Sequence, residues 1–214
     1  MVEEKIKTAM EVAKNTLSKA KNPFVIFTGG KDSLTTLHLV RRASTNPVNV
    51  LFIDTSAHFN EIYLFIEKMR RLWGFNLIKE KNEEALKALK IAEDKTECCL
   101  RLKGMALKNS IEKYGIDYLF TGFRGEGEEA RRNEEYIFPG EDCIRINPIV
   151  HFTEKEVWEY IKKNNLPYCS LYDKGYSTVD CMPCTIPTEG PDECSARLKD
   201  KELVINKLRS LGYF

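Results

Sequence analysis

FVIFTGGKDSLTTLH, residues 24–38, decides how the chain is read. An apolar run ends in Thr28-Gly29-Gly30-Lys31-Asp32-Ser33. Leu34, Leu37, His38 and Val40 then recur at helical spacing. The stretch therefore predicts a buried strand, a tight loop and a helix over Lys31–Ala43. Gly29 and Gly30 let backbone N–H groups approach an anion closely, and the N-terminus of the helix adds its dipole. Lys31 offers a point charge and Ser33 a hydroxyl. The GxxxxGK[ST] spacing is absent, so this is a phosphate loop of another kind.

Working outward, the alternation continues. VNVLFIDTS (48–56) reads as a second buried strand, closed by Asp54 and Thr55. NEIYLFIEKMRRLWG (60–74) reads as a helix stopped by Gly74, and FNLIKE (75–80) as a third strand. Residues 82–114 read as helical and charged. IDYLFTGFRGEGEEARR (116–132) reads as a strand entering a Gly/Glu-rich loop, and CIRINPIVHF (143–152) as a short strand pair or extended segment. TEKEVWEYIKKNN (153–165) reads as a helix with Thr153 as N-cap and Glu156 at the capping-box position.

Strands alternating with helices predict an α/β fold: a mostly parallel sheet with helices on both faces. Three regions are expected. Residues 1–22 form an N-terminal helix, 23–164 a nucleotide-binding α/β domain, and 165–214 an irregular Cys-rich region packed on it. Ligands bind beyond the carboxyl ends of such strands. Thr28–Ser33, Asp54–His58 and Thr121–Arg131 all follow strands, which points to one shared site.

The chain has 214 residues, 43% of them hydrophobic, and a formal net charge of +1. Nothing in that balance suggests a nucleic-acid partner. The opening MVEEKIKTAMEVAKNTLSKAK is charged and amphipathic, unlike a signal peptide, and no apolar run approaches the roughly 20 residues of a membrane span. Seven cysteines stand at 98, 99, 143, 169, 181, 184 and 194. An odd number without a secretory signal predicts a reducing, cytoplasmic setting in which thiols bind metal or do chemistry.

Four of the thiols form a constellation: the vicinal pair Cys98-Cys99 in TECCLRLK, and Cys181-x-x-Cys184 in DCMPCT. Four thiolates suit a tetrahedral zinc site or an iron–sulfur cluster. Neighbours on an α-helix point about 100° apart, which reaches two corners of a cuboidal cluster more readily than one small ion. Cys143 and Cys169 read as small buried hydrophobes. Asp54 could position a ribose or metal, or cap a turn; His58 reads as a loop histidine.

TGGKDS, with VLFIDTSAHFNEIYLFIEKM, LFTGFRGEGEEAR and NPIVHFTEKEVWEYIKKNNLPYCSLYDKGY, resembles the phosphoadenylyl-sulfate (PAPS) reductase branch of the adenine-nucleotide alpha-hydrolase, or PP-loop, superfamily over about residues 22–198. The Cys-Cys…Cys-x-x-Cys pattern is similar to that of its adenylyl-sulfate (APS) reductases, which implies a [4Fe–4S] cluster on Cys98, Cys99, Cys181 and Cys184. The resemblance further implies that Thr28, Gly29, Gly30, Lys31, Asp32 and Ser33 hold a nucleotide phosphate with Asp54, Thr55 and Gly122. Arg124, Arg131 and Lys103 would bind the sulfate or leaving anion. It implies reduction of APS, with PAPS as the other substrate, to sulfite and AMP, and a thioredoxin-like thiol donor; a homo-oligomer is compatible with it.

Two departures qualify the match. The family's nucleophilic cysteine lies in Glu-Cys-Gly-[Ile/Leu]-His, whereas this chain has Glu193-Cys194-Ser-Ala-Arg197. Cys194 is thus the candidate nucleophile, the alternative being that the catalytic tail is missing. Lys31 is closer to members that use ATP. That keeps two other readings open: an ATP-dependent sulfurtransferase acting on an acceptor such as tRNA, and a nucleotide-binding subunit like the sulfurylase small subunit.

Overall fold

The computed structural model describes residues 2–125, 135–140 and 142–188. Helix α1 spans Val2–Leu17, shorter than the 1–22 expected. The chain then turns because the backbone N–H groups of Lys21 and Asn22 donate to the Asp117 carboxylate, at 2.6 and 2.9 Å. Strand β1 is Pro23–Ile26, helix α2 Lys31–Ala43, strand β2 Asn49–Ile53, helix α3 Asn60–Trp73 and strand β3 Asn76–Glu80. Gly74 ends α3 in the left-handed conformation, at φ 64°.

Residues 82–114 are not one continuous helix. They divide into α4 (Glu83–Ala88), α5 (Lys95–Cys99), a π-helical turn (Leu100–Met105) and α6 (Ala106–Tyr114). Capping side chains open α4 and restart the helix at α5. Asn82 accepts from the Ala85 N–H and Asp94 from the Glu97 N–H, each at 3.0 Å. Short polar side chains compete in this way with helix continuation.

Strands β4 (Tyr118–Phe120), β5 (Ile137–Pro139) and β6 (Ile144–Ile146) and helix α7 (Glu154–Lys163) complete the elements. β5 does not stand out in the sequence. It is three exposed residues ending in Pro139, paired antiparallel to β6 at the sheet edge, where a proline is tolerated.

The sheet order is β3-β2-β1-β4-β6-β5, and every pair but the last is parallel. Alternating residues feed two cores. Val25, Val50, Phe52, Phe120 and Ile146 face the side covered by α1, α2, α3 and α7. Phe24, Leu51 and Leu119 face Ile111 of α6 on the other. Helices on both faces are what near-continuous apolar strands require. Each such fully buried side chain contributes about 2 kcal/mol. Because β2 and β4 flank β1, the topology switches direction at β1/β4, where an open α/β sheet leaves a crevice.

Helix α7 starts on the capping box that the sequence predicts. The Thr153 hydroxyl accepts from the Glu156 N–H (3.2 Å), and the Glu156 carboxylate accepts from the Thr153 N–H (2.7 Å). Glu156 also pairs with Lys5 at 2.7 Å, joining α7 to α1. Beyond α7, Cys169, Leu171 and Val179 return to the same core as β1.

His38 lies between α2 and α7, its Nδ1 2.8 Å from the Tyr160 hydroxyl. Burial, and then the charges of Arg42 and Arg41, lower its pKa to about 4. The unfolded chain therefore binds a proton that the folded one refuses. Stability is expected to fall as pH drops from 6.5 towards about 4. Urea titrations of wild type and His38→Gln across that range check this; the variant should lack that part of the slope.

Candidate functional site

The loop after β1 is built as the glycines suggest. Gly29 has φ 81°, and a Cβ there would also stand 3.0 Å from Ile62 Cγ2. The Ser33 hydroxyl donates to the Gly30 carbonyl (3.0 Å) and accepts from the Thr28 N–H (3.2 Å); the Thr28 hydroxyl lies 3.1 Å from it. These bonds curl the loop over the first turn of α2. Gly30 is the N-cap of α2 and provides no side-chain cap.

Gly122, just after β4, closes on that same turn. A Cβ on it would fall 2.7 Å from Ser33 N and 2.9 Å from Asp32 C, both backbone atoms. The approach brings Arg124, which is buried, into a 2.8 Å contact from its Nε to Asp32 Oδ1. Asp32, Ser33, Gly122 and Arg124 thus meet in the crevice between β1 and β4. Arg131 and Cys194 lie outside the described residues.

Lys31 departs from the expected picture. Its side chain is 1% exposed and turns into the protein. Nζ donates to the Ser177 carbonyl at 2.9 Å and lies 3.4 Å from Glu154 Oε1. Its backbone N–H donates to the Tyr172 hydroxyl at 2.8 Å.

After β2, Asp54 Oδ1 accepts from the Ser56 N–H (2.8 Å) and the Tyr63 hydroxyl (2.7 Å). These bonds hold Ser56 at φ 57° and aim Thr55 inward. The buried Thr55 hydroxyl is 3.1 Å from Cys181 Sγ. A β-bridge joins His58 to Cys181, and the Met182 N–H donates to the Ala57 carbonyl at 2.7 Å.

Cys98, Cys99, Cys181 and Cys184 line one pocket with Thr55, Lys103 and the apolar Ala57, Ile91 and Leu102. The two halves of the constellation, far apart in sequence, therefore converge. The vicinal pair ends α5 where the π-helical turn begins, a wider winding often found at functional sites. All six described cysteines are free thiols.

Lys103 Nζ is 2.5 Å from Asp180 Oδ1, which also accepts from the Cys181 N–H at 2.7 Å. Burial alone would lower the lysine pKa. Asp180 and then the thiols of Cys181 and Cys99 outweigh it and hold the ammonium well above its ordinary range.

His58 sits in the loop between β2 and α3. Its Nε2 donates to the Ile53 carbonyl at 3.2 Å, while Nδ1 is buried without a hydrogen-bond partner among the described residues. Ligand atoms of His58, Asp180 and Cys181 lie within 4.8 Å of one another, close enough to hold a metal ion. Asp180 gave one sequence signal, its place beside the first cysteine of Cys-x-x-Cys. Tyr172 and Ser177 gave none. Cys143 and Cys169 sit away from this pocket. Burial pushes the Cys143 thiol up to about 11, and Cys169 is fully buried.

With this geometry in hand, the chain can be placed among known proteins. The phosphoadenosine phosphosulfate reductase domain family matches residues 22–187. The chain belongs to this family. It is 32% identical over 213 residues to an adenosine 5'-phosphosulfate reductase of Bacillus cereus strain 03BB102, covering 93% of this chain and 89% of that one. A second, from Bacillus mycoides, is 32% identical over 198 residues, covering 86% and 82%. These relatives bear out the reductase-like class of enzyme read from the sequence.

The fold is shared with a Candida auris phosphoadenylyl-sulfate (PAPS) reductase at a TM-score of 0.70 and 23% identity, over 86% of this chain and 96% of that one. It is shared equally with a Candida glabrata FMN adenylyltransferase, at 0.71 and 18%, over 87% and 65%. Among the described residues no helix is long and apolar enough to cross a membrane.

The contact at Gly122 generates a test. Gly122→Ala drives a methyl group into backbone atoms that cannot rotate away. It is expected to cost about 1–3 kcal/mol, the usual penalty of overpacking. Urea unfolding of the variant against wild type measures the loss.

Proposed function

We propose that this family member reduces adenylyl sulfate to sulfite and AMP with thiol electrons, beside a [4Fe–4S] cluster held by Cys98, Cys99, Cys181 and Cys184. The observation that carries this is the convergence of those four thiols on one pocket, with Lys103 in its wall and Thr55, after β2, lining it. The donor set fits the cluster: four thiols from separated segments, an apolar lining, a hydroxyl 3.1 Å from Cys181 Sγ, and in the wall an ammonium paired with Asp180. When bound, the cluster supplies a fixed charge that tunes the substrate site. Zinc on the same thiols is the alternative.

The protein's own residues then take these roles. The backbone of the Thr28–Ser33 loop and the N-terminus of α2 hold the α-phosphate. Arg124, Arg131 and Lys103 hold the sulfate, whose developing negative charge suits guanidinium and ammonium donors. Cys194, or a thiol on a separate protein if the tail does not serve, attacks the sulfate sulfur as thiolate. A sulfur–sulfur bond forms and the sulfur–oxygen bond to phosphate breaks, its electron pair leaving with AMP. A dithiol partner of the thioredoxin type then attacks the S-sulfonated thiol. Sulfite departs with two electrons, and the partner's second thiol completes a disulfide in the partner.

The curated relatives named as adenosine 5'-phosphosulfate reductases favour APS over PAPS. The ATP reading drew on Lys31, and that ammonium already faces Ser177 and Glu154. A cytoplasmic setting accords with the free thiols.

The test is a product assay on anaerobically purified protein. Adenylyl sulfate with a thiol reductant should give AMP and sulfite, and about four irons per chain should accompany a brown colour. Cys194→Ser should abolish sulfite release while leaving iron content intact. Cys98→Ser should lose both. AMP and pyrophosphate from ATP, with adenylyl sulfate untouched, would sink the proposal.

A further inference from the structure

We infer that Lys31 is a positioning residue: its buried ammonium fastens the segment carrying Cys181 and Cys184 onto the phosphate loop, instead of neutralising the substrate's phosphate. The inference rests on the reading of Thr28–Ser33 as the nucleotide loop.

Four contacts carry it. Lys31 is the first residue of α2, directly after the N-cap Gly30. Its ammonium donates to the Ser177 carbonyl at 2.9 Å and lies 3.4 Å from the Glu154 carboxylate. It also stands 5.5 Å from the centre of the Tyr172 ring, in the range of a cation–π contact. The Tyr172 hydroxyl in turn accepts the Lys31 backbone N–H at 2.8 Å. One residue thus grips α7, the turn at Tyr172–Lys174 and the bend at Ser177.

The contacts argue against the simpler role. The side chain is 1% exposed, and its ammonium is engaged by the Ser177 carbonyl and the Glu154 carboxylate, both far along the chain from the loop. A buried ammonium needs its compensating oxygens, and exchanging them for a phosphate would strand the Glu154 charge. The segment it grips is the one that matters for the thiols. Val179, two residues before Cys181, packs against the loop: a Cβ on Gly30 would come within 3.5 Å of Val179 Cγ2 and 3.6 Å of the Tyr172 hydroxyl. Cys181 is held on its other side by the bridge to His58. The strut therefore sets how far the Cys-x-x-Cys turn stands from the bound phosphate.

The test compares wild type with Lys31→Met, which keeps the length without the charge, and Glu154→Gln, which leaves the lysine in place. Each is prepared anaerobically as the full chain. Hydrogen exchange is read over residues 172–184, with β3 as the internal control. AMP affinity is read by calorimetry, and kcat and KM with adenylyl sulfate. Both variants should accelerate exchange at 177–184 about ten-fold or more, with β3 unchanged, since this opening is local. AMP affinity and KM should stay within about two-fold while kcat falls about ten-fold, the mark of misplacement without lost binding. Weakened AMP binding in Lys31→Met with exchange unchanged would overturn the inference and return Lys31 to the phosphate. If Lys31→Met fails to fold, Glu154→Gln decides by the same exchange criterion. If wild type itself binds no AMP, the nucleotide reading fails, and exchange still decides whether the strut exists.

Discussion

No side chain fits between the backbone after β4 and the first turn of α2, and the rest of the site depends on that fact. The contact is possible because β1 and β4 are direct neighbours at the switch point of the sheet. Their carboxyl ends therefore deliver two loops to the same place. Gly122 lets the second lean on the N–H groups of the first. A bulkier residue would separate them and pull Arg124 from Asp32. The meeting of these two loops is thus a property of strand order before it is a property of any charged residue.

The thiol pocket is assembled by a different logic. Its walls come from the end of β2, from the junction of α5 with the π-helical turn, and from residues 180–184. No strand pairing of the main sheet joins these three. Individual polar contacts do so instead: Thr55 with Cys181, Asp180 with Lys103, and the backbone bond between Met182 and Ala57. Such contacts are modest one by one, about 1 kcal/mol each. A group bridging four thiols would supply much more.

How much of this is legible in the sequence depends on range. The helix Lys31–Ala43, its stop-signalled neighbour ending at Gly74 and the capping box at Thr153 and Glu156 are local patterns, and they appear where the residues predict. The convergence of Cys98-Cys99 with Cys181 and Cys184 is foreseen through the cysteine pattern and its resemblance to a family. β5 escapes because three exposed residues carry no periodicity. The restart of the helix within 82–114 involves Asp94, whose capping role is hidden inside a charged, helix-favouring stretch. The partners of Lys31 escape for a deeper reason. Ser177 and Glu154 lie far along the chain, and nothing about a lysine after two glycines says which way its side chain will turn.

The π-helical turn at Leu100–Met105 has a geometric corollary. Each residue of an α-helix advances the winding by about 100°, so a turn holding one residue more than an α-helix acts as a fixed rotation between the segments on its two sides. Here α6 precedes β4, while Cys98 and Cys99 stand on the other side of the turn. The extra residue lets α6 keep its apolar face on the sheet while the thiol pair looks elsewhere. Chain length in this short stretch works as an angular setting. Shortening it by one residue would leave every other side chain intact and still swing the thiols about a quarter-turn away from Cys181.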